Sequence, residues 1–282
     1  MPEIQITEVA INEVVLTIDG LSVQAAPGTT LIQAAASIGV VTPTMCHVAS
    51  MTPVNVCRLC VVEVAGSRTL VPACSREVED GMVVETDSER VKHSRKMVLE
   101  LLDSSVDLSQ APNVEGWLNE YQADPGRFGV HAATVDEEPK VQDDLYVRDY
   151  SKCILCYACV SACGIEAQGT FAIGVSGRGF DARISTELDV TLPESACVYC
   201  GNCIAVCPTG ALQGKIEFDM RAEVRWMQEQ QTVTETICPY CGVGCPLELH
   251  VQDNDVVKVT SPMDHDITNG MLCVKGRFFT VG

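Results

Sequence analysis

The sequence predicts an α+β protein assembled as a string of small domains. Three observations predict it. Sixteen cysteines stand in a chain of 282 residues and fall into four groups of four. Two of those groups form an internal repeat. Hydrophobic residues make up 46 % of the chain but aromatics only 5 %, so the core must be Val, Leu, Ile and Ala, with something further supplying order.

The elements follow in chain order. Residues 14–25, VVLTIDGLSVQA, read as a hairpin, because Asp19-Gly20 between β-branched runs is a two-residue turn signal. A helix is expected from Thr30 to about Ile38, with Thr30 and Gln33 as a capping box and Gly39 as the stop. A loop then carries Cys46, Cys57 and Cys60. Val61–Val64 and Thr69–Val71 read as strands, the second running into Cys74. Together these make a small domain over residues 1–82. Residues 87–103 read as an amphipathic helix with Val91, Val98, Leu101 and Leu102 on one face. It opens a connector over residues 83–145, whose later part is acidic and turn-rich. Residues 146–216 hold eight cysteines in two matching halves. A charged helical link is expected around Arg221–Gln230, and residues 232–282 hold the last four cysteines.

The formal charge of −19 argues against nucleic acid as a partner, since phosphate binding needs a basic surface. It keeps the protein soluble. No apolar run reaches the ~18 residues of a membrane span. The start, MPEIQITEVAINEVV, has no basic n-region, and no twin-Arg pair is present, so a cytoplasmic location is expected. In a reducing compartment sixteen cysteines are not a disulfide framework, which leaves metal.

The repeat is the strongest signal. Cys153-x2-Cys156-x2-Cys159-x3-Cys163 recurs 44 residues later as Cys197-x2-Cys200-x2-Cys203-x3-Cys207, followed by Pro208. A 4Fe–4S cube wants one thiolate at each iron. Three ligands at this step wrap one cube, and the fourth reaches across to the other. Cys153, Cys156, Cys159 and Cys207 are therefore expected to hold one cluster, and Cys163, Cys197, Cys200 and Cys203 the second. Zinc sites use pairs of Cys-x2-Cys rather than runs of three. Val206-Cys207-Pro208-Thr209-Gly210-Ala211-Leu212 resembles the bacterial-type ferredoxin signature, a likeness covering about 65 residues.

The first group is Cys46-x10-Cys57-x2-Cys60-x13-Cys74. Plant-type ferredoxins hold a 2Fe–2S cluster with a tighter first gap and a distant fourth cysteine. The stretched form resembles the N-terminal domain of the complex I large subunit, of NAD-linked hydrogenases and of NAD-linked formate dehydrogenases. That resemblance implies a β-grasp fold and a 2Fe–2S cluster on Cys46, Cys57, Cys60 and Cys74. Zinc on the four is the alternative. The same family often adds a further cluster, held by one histidine and three cysteines, after the linking helix. Here the matching positions are Ser105, Ser109, Pro112 and Leu118, so that site reads as lost. His93 and His131 read as ordinary surface residues.

The last group is Cys238-Pro-Tyr-Cys241-Gly-Val-Gly-Cys245, with Cys273-Val-Lys275-Gly-Arg277 after a gap of 27. Taken alone, Cys-x2-Cys-x3-Cys suits zinc or a radical-enzyme cluster. With the distant cysteine and its Lys-Gly-Arg context it resembles the molybdenum or tungsten bis-pterin oxidoreductases, and among them formate dehydrogenase. The resemblance implies a 4Fe–4S cap held by Cys238, Cys241, Cys245 and Cys273, with Lys275 as the electron relay to a pterin. His250 and His265 are not expected as ligands.

All four groups stand in the order of the N-terminal iron–sulfur region of cytosolic NAD-linked formate dehydrogenase alpha subunits. The likeness departs where the family reads Lys-Gly-Arg-Phe-Gly and continues. Here Phe279 follows Phe278 and the sequence stops at Gly282. The implied fold is a β-grasp 2Fe–2S domain, a helical connector, a bacterial-type double 4Fe–4S domain and a molybdopterin-oxidoreductase-type 4Fe–4S cap. The implied role is relaying electrons between a Mo/W-bis-pterin formate site and a flavin–NAD module. The molybdopterin catalytic chain and the flavin/NAD-binding chain, which carries FMN, are then partners in a hetero-oligomer. No residue reads as a catalytic acid, base or nucleophile. The alternatives are an electron-transfer subunit of an NAD-linked hydrogenase or complex-I-like enzyme, a free-standing polyferredoxin, and a zinc-binding interaction module.

Overall fold

In a computed structural model of the chain, residues 13–278 are described. The opening MPEIQITEVAIN and residues 279–282, Phe279 among them, lie outside the described residues. Two units separate. The first comprises residues up to Thr44, Cys57–Leu99 and Trp117–Ala123; the second comprises Met45–Val56, Glu100–Gly116 and the chain from Asp124.

In the first unit the expected hairpin forms. β1 (Val14–Ile18) pairs antiparallel with β2 (Leu21–Ala25), closing at Ile18↔Leu21. Asp19 and Gly20 both take left-handed backbone, at φ 48° and 81°, as a two-residue turn demands. Helix α1 (Leu31–Ser37) starts at the expected capping box, where Gln33 Oε1 accepts from the Thr30 N–H at 2.9 Å. It stops at left-handed Gly39. Strands β3 (Val61–Val64), β4 (Val71–Pro72) and β5 (Val83–Glu85) complete a five-stranded sheet ordered β2-β1-β5-β3-β4, with β1 and β5 parallel.

β5 is not anticipated by the sequence. Three residues are too few to show a period, yet the strand lies centrally and buries Val84 with Val83 and Glu85 outward. The Asp19 carboxylate pins its exit. It accepts from the Thr86 N–H at 2.7 Å and the Thr86 hydroxyl at 2.6 Å. Leu31, Ala34 and Ala35, one face of α1, pack with Leu16, Ile18, Val62 and Val84 into an apolar core.

The linking helix α2 (Glu89–Asp103) forms, but on a different face from the one its apolar residues suggest. Val91, Arg95 and Leu99 are buried at helical spacing, whereas Leu101 is 50 % exposed. The reason is a charge inside. Arg95 donates to the carbonyls of Leu59 (3.2 Å) and Val61 (3.1 Å) and to the Tyr121 hydroxyl (3.1 Å). Apolar periodicity cannot see a face centred on arginine. The acidic connector stretch is also more ordered than expected, since α3 (Val114–Glu120) lies within it.

The second unit is made of short pieces. β6 (Lys140–Val141), β7 (Tyr146–Arg148) and β10 (Leu212–Gly214) form one sheet ordered β10-β7-β6, while β8 (Ile173–Ser176) and β9 (Arg183–Thr186) form a hairpin. Each cysteine run ends on a short helix, α4 (Ala158–Cys163) and α5 (Asn202–Ala205). The charged link forms its helix earlier than expected, as α6 (Lys215–Ala222). Left-handed Val224 and the loop after it take the place of helix to Met227. Glu217 on α6 pairs with Arg221 one turn on (2.7 Å) and with Lys258 (2.8 Å). Burial pushes the Glu217 carboxyl up, but these two cations outweigh it and hold the group below the ordinary carboxylate range. Lys258 lies on the last sheet, β11 (Thr232–Ile237), β12 (Pro246–Gln252) and β13 (Asp255–Thr260), which α7 (Val274–Phe278) follows. Among the described residues no helix is long and apolar enough to cross a membrane.

Arg95 supplies the donors for two buried carbonyls, so Arg95→Met should destabilise the first unit by about 2–4 kcal/mol. Anaerobic guanidinium unfolding followed by circular dichroism measures this. A loss below ~0.5 kcal/mol, the range of an ordinary surface change, would contradict it.

Candidate iron–sulfur centres

None of the sixteen cysteines is joined in a disulfide. The repeat gives two matching loops. In each, left-handed residues alternate with the cysteines: Leu155 and Tyr157 at φ 53° and 61°, Tyr199 and Gly201 at 57° and 73°. Such turns aim successive N–H groups inward and make an anion-binding nest. The Leu155 N–H accordingly donates to Cys153 Sγ at 3.4 Å, and the Tyr199 N–H to Cys197 Sγ at 3.5 Å.

The thiols gather across the repeat. Cys207, from the second half, faces Cys153 and Cys159, and Cys159 also faces Cys156. Cys163, from the first half, faces Cys197, Cys200 and Cys203. The two cradles adjoin, since Cys203 lies within electrostatic reach of both Cys159 and Cys207. Burial pushes the Cys153 thiol up to about 11 and the Cys159 and Cys203 thiols well above their ordinary value. A buried phenol stands at each cradle. Tyr150 faces Cys159 and Cys153; Tyr146 faces Cys203, Cys197 and Cys200. Burial raises both and keeps them neutral.

In the first unit Cys60 and Cys74 are hydrogen-bonded. That bond outweighs burial and brings the Cys60 thiol down to about 7, against a smaller upward push from Cys57. Left-handed Arg58 turns the chain between Cys57 and Cys60, and Arg95 holds the carbonyls on either side of Cys60. Cys46 is buried on Met45–Val56, a segment of the second unit.

Cys238, Cys241 and Cys245 occupy the turn from β11 to β12, and Cys273 precedes α7. The Cys238 N–H donates to the Cys245 carbonyl at 2.8 Å. Cys245 faces Cys238, Cys241 and Cys273. Cys238 is buried in a small core with Leu247, Val259 and Leu272, whereas Cys241, Cys273 and Lys275 are exposed. His250 bonds the Thr260 hydroxyl at 2.8 Å, and His265 Nδ1 accepts from the Ile267 N–H.

This donor set fits iron–sulfur clusters. Several thiols buried side by side resist ionisation, and coordinated iron is the charge that deprotonates them outright. Among the described residues no three acidic, histidine or cysteine side chains converge on a single-ion point. A cluster does not ask for that, because its thiolates stand on separate iron corners. Sequence reasoning missed Arg95, Asn202 and Arg277, buried polar residues against the cysteine loops. Arg277 stood in the quoted Lys-Gly-Arg run, but with no signal of what it would touch.

Comparison with known proteins assigns three stretches. Residues 12–89 match a 2Fe-2S iron-sulfur cluster binding domain, residues 152–211 a 4Fe-4S dicluster domain, and residues 231–280 the molybdopterin oxidoreductase Fe4S4 domain. The chain is 36 % identical, over 93 % of its length, to the NADPH-Fe(3+) oxidoreductase subunit alpha of Geobacter sulfurreducens. It is 28 % identical, over 95 % of its length, to a formate dehydrogenase candidate of Staphylococcus haemolyticus. In both cases it spans only 31 % of the relative's own length. A chain of a crystal structure of NAD+-reducing [NiFe]-hydrogenase superposes at TM-score 0.60 and 25 % identity, covering 72 % of this chain and 87 % of that one. The chain is thus an iron–sulfur region of the molybdopterin oxidoreductase type, in which a 2Fe–2S domain, a 4Fe–4S dicluster domain and an Fe4S4 domain follow one another.

Proposed function

We propose that this chain is the electron relay of a formate dehydrogenase. It would connect a molybdenum or tungsten bis-pterin site with a flavin–NAD module on partner chains, within a cytoplasmic hetero-oligomer. The observation that carries the relay is the crossed set of thiols, Cys207 with the first run and Cys163 with the second, in two adjoining cradles. When bound, clusters supply one-electron oxidation and reduction at potentials set by their surroundings.

The residues divide the work. Cys153, Cys156, Cys159 and Cys207 hold one 4Fe–4S cluster; Cys163, Cys197, Cys200 and Cys203 hold the next. Cys238, Cys241, Cys245 and Cys273 hold a third, and Cys46, Cys57, Cys60 and Cys74 hold a 2Fe–2S cluster. The five-stranded mixed sheet with α1 packed on it supports a β-grasp reading of the last of these domains. N–H groups from Leu155 and Tyr199 stabilise negative charge on sulfur and favour the reduced state. Lys275, exposed two residues beyond exposed Cys273, would meet a pterin held by another chain. No side chain here acts as acid, base or nucleophile on formate.

The order of the four cysteine groups and the Staphylococcus relative support formate as the substrate. The hydrogenase likeness favours a second reading, a relay in an NAD-linked hydrogenase. Identifying the chains that co-purify with the native protein separates the two. A chain that runs alone on gel filtration would be a free polyferredoxin.

One two-iron and three four-iron clusters make about fourteen irons per chain. Anaerobic iron and sulfide analysis near ~ten would mean an empty group, and near ~eighteen a missed one. Chelating the iron should abolish amide-exchange protection in residues 150–214, where the cysteine loops are short and irregular and Cys156 and Cys159 are buried among small alanines, while β1, β2 and β5 keep theirs on an apolar core. Native protection there in the apo chain would contradict cluster-dependent folding. In the complex, Cys245→Ala should stop formate-to-NAD electron flow while the other clusters stay reducible by NADH. Formate oxidation to a dye by the 282-residue chain alone would overturn the relay reading.

A further inference from the structure

The two halves of the repeat are not equivalent, and the difference points at one residue. Moving 44 positions along, Tyr157 becomes Gly201 and Ala158 becomes Asn202. Backbone shape does not explain the glycine, because Tyr157 holds the same left-handed conformation. Close approach does. A Cβ on Gly201 would press into Cδ of Arg277 and stand 2.8 Å from its Nε. Asn202, 3 % exposed, turns its Oδ1 to the Arg277 Nη2 (3.3 Å) and to the Leu272 N–H (2.9 Å). Both substitutions make room and a partner for the same guanidinium.

Arg277 is itself 5 % exposed. Its Nε donates to the Cys200 carbonyl at 3.1 Å, and its two terminal nitrogens to the carbonyls of Val259 and Gly270, each at 3.4 Å. No carboxylate pairs with it among the described residues. A buried cation without a counter-ion is costly, and neutral carbonyls and an amide offset only part of that cost. The ionisable groups facing it are the thiols of Cys203, Cys200 and Cys273 and the Tyr146 phenol. Its counter-ion is therefore the negative charge those sulfurs carry once they hold iron.

We propose that Arg277 is a positioning residue that supplies fixed positive charge to the cluster of Cys163, Cys197, Cys200 and Cys203 and thereby raises its reduction potential above that of its pseudo-symmetric twin. Reduction adds one electron and one negative charge to a cluster already negative. A cation buried against the Cys200 carbonyl of the same loop, where solvent does not screen it, stabilises the reduced form more than the oxidised form. At the twin, with Tyr157 and Ala158 at the matching positions, no arginine is among the groups facing Cys153 or Cys159; buried Arg148 stands one side chain further off, donating to the Tyr150 hydroxyl at 3.4 Å. This inference rests on the ligand assignment proposed above.

The test is an EPR-monitored redox titration of the full, cluster-loaded chain with dithionite as reductant. Arg277→Gln should lower the reduction equilibrium constant of one 4Fe–4S cluster at least tenfold, about 59 mV for a one-electron couple. The midpoint of the 2Fe–2S cluster should hold. Arg277→Lys, which keeps the charge, should retain the wild-type midpoint; a fall as large as that of glutamine would assign the effect to the planar fork and overturn the proposal. Gly201→Ala keeps every charge but displaces the guanidinium, and should give a smaller fall in the same direction. The left-handed backbone strains any side chain at Gly201, but Tyr157 shows that the loop holds one at the matching position. A wild-type midpoint in loaded Arg277→Gln or Gly201→Ala overturns the inference. So does failure of both to take up the cluster where the wild type succeeds, which would make Arg277 an assembly residue. A wild-type chain that takes up no 4Fe–4S cluster would instead refute the relay reading.

Discussion

The constraint on which the structure depends is the burial of negative sulfur. Thiols set side by side out of water cannot all ionise unaided, and burial drives Cys153, Cys159 and Cys203 well above their usual range. Whatever deprotonates them must bring positive charge, and the surrounding chain must then answer a compact anion with donors and cations. The irregular features of the second unit follow from this. Left-handed residues alternate through the cysteine runs because only a turned backbone points consecutive N–H groups at one centre. The helices after them are short because the loop, not helix propensity, fixes their start.

The two units meet the constraint differently. The first has an apolar core of its own, in which α1 lies against the sheet, and its cysteine loop is attached to a scaffold that stands without it. Arg95 makes the attachment by clasping the carbonyls that flank Cys60. The dicluster region buries Ile173, Ile184, Leu192, Val206 and Leu212, but small residues stand nearest its cysteines. Ala158, Ala162, Ala172 and Ala211 are buried around the thiols, and these small side chains leave the space that a cluster fills. The low aromatic content of the chain is thus the composition of a protein whose order comes partly from inorganic atoms.

What the sequence disclosed, and what it hid, divides along the same line. Local chemistry was legible. Asp19-Gly20, the Thr30/Gln33 box and the cysteine repeat each act within a few residues, so spacing alone announces them. The ionic and hydrogen-bonded partners were not. β5 is three residues whose strand character comes from its neighbours in the sheet, and Asp19 holds Thr86 across 67 positions. The face of α2 was misread because Arg95 is buried by three acceptors remote in sequence. In α6 the helix ends at Ala222 rather than near Gln230: Val224 takes left-handed backbone, and beyond it Gln252 of β12 takes up the Arg225 carbonyl at 2.7 Å and the Met227 N–H at 3.0 Å. Long-range polar contacts leave no period to read.

A repeat is most informative where it fails. Two copies of one loop, folded alike, need the same residues wherever they face only their own cluster, and the cysteines and the left-handed turns obey this. They diverge where one copy meets something the other does not. At Gly201 and Asn202 that something is Arg277, carried in from α7 beside Cys273. Through it a single guanidinium faces sulfurs of two groups, Cys200 and Cys203 on one side and Cys273 on the other. Lys275, two residues away on the same short helix, has its charge in water, where screening weakens it. One turn of helix therefore sorts its two cations by environment. The outer one is exposed. The inner one is fixed against the anion it neutralises, and the substitutions that break the repeat are the imprint it leaves on the sequence.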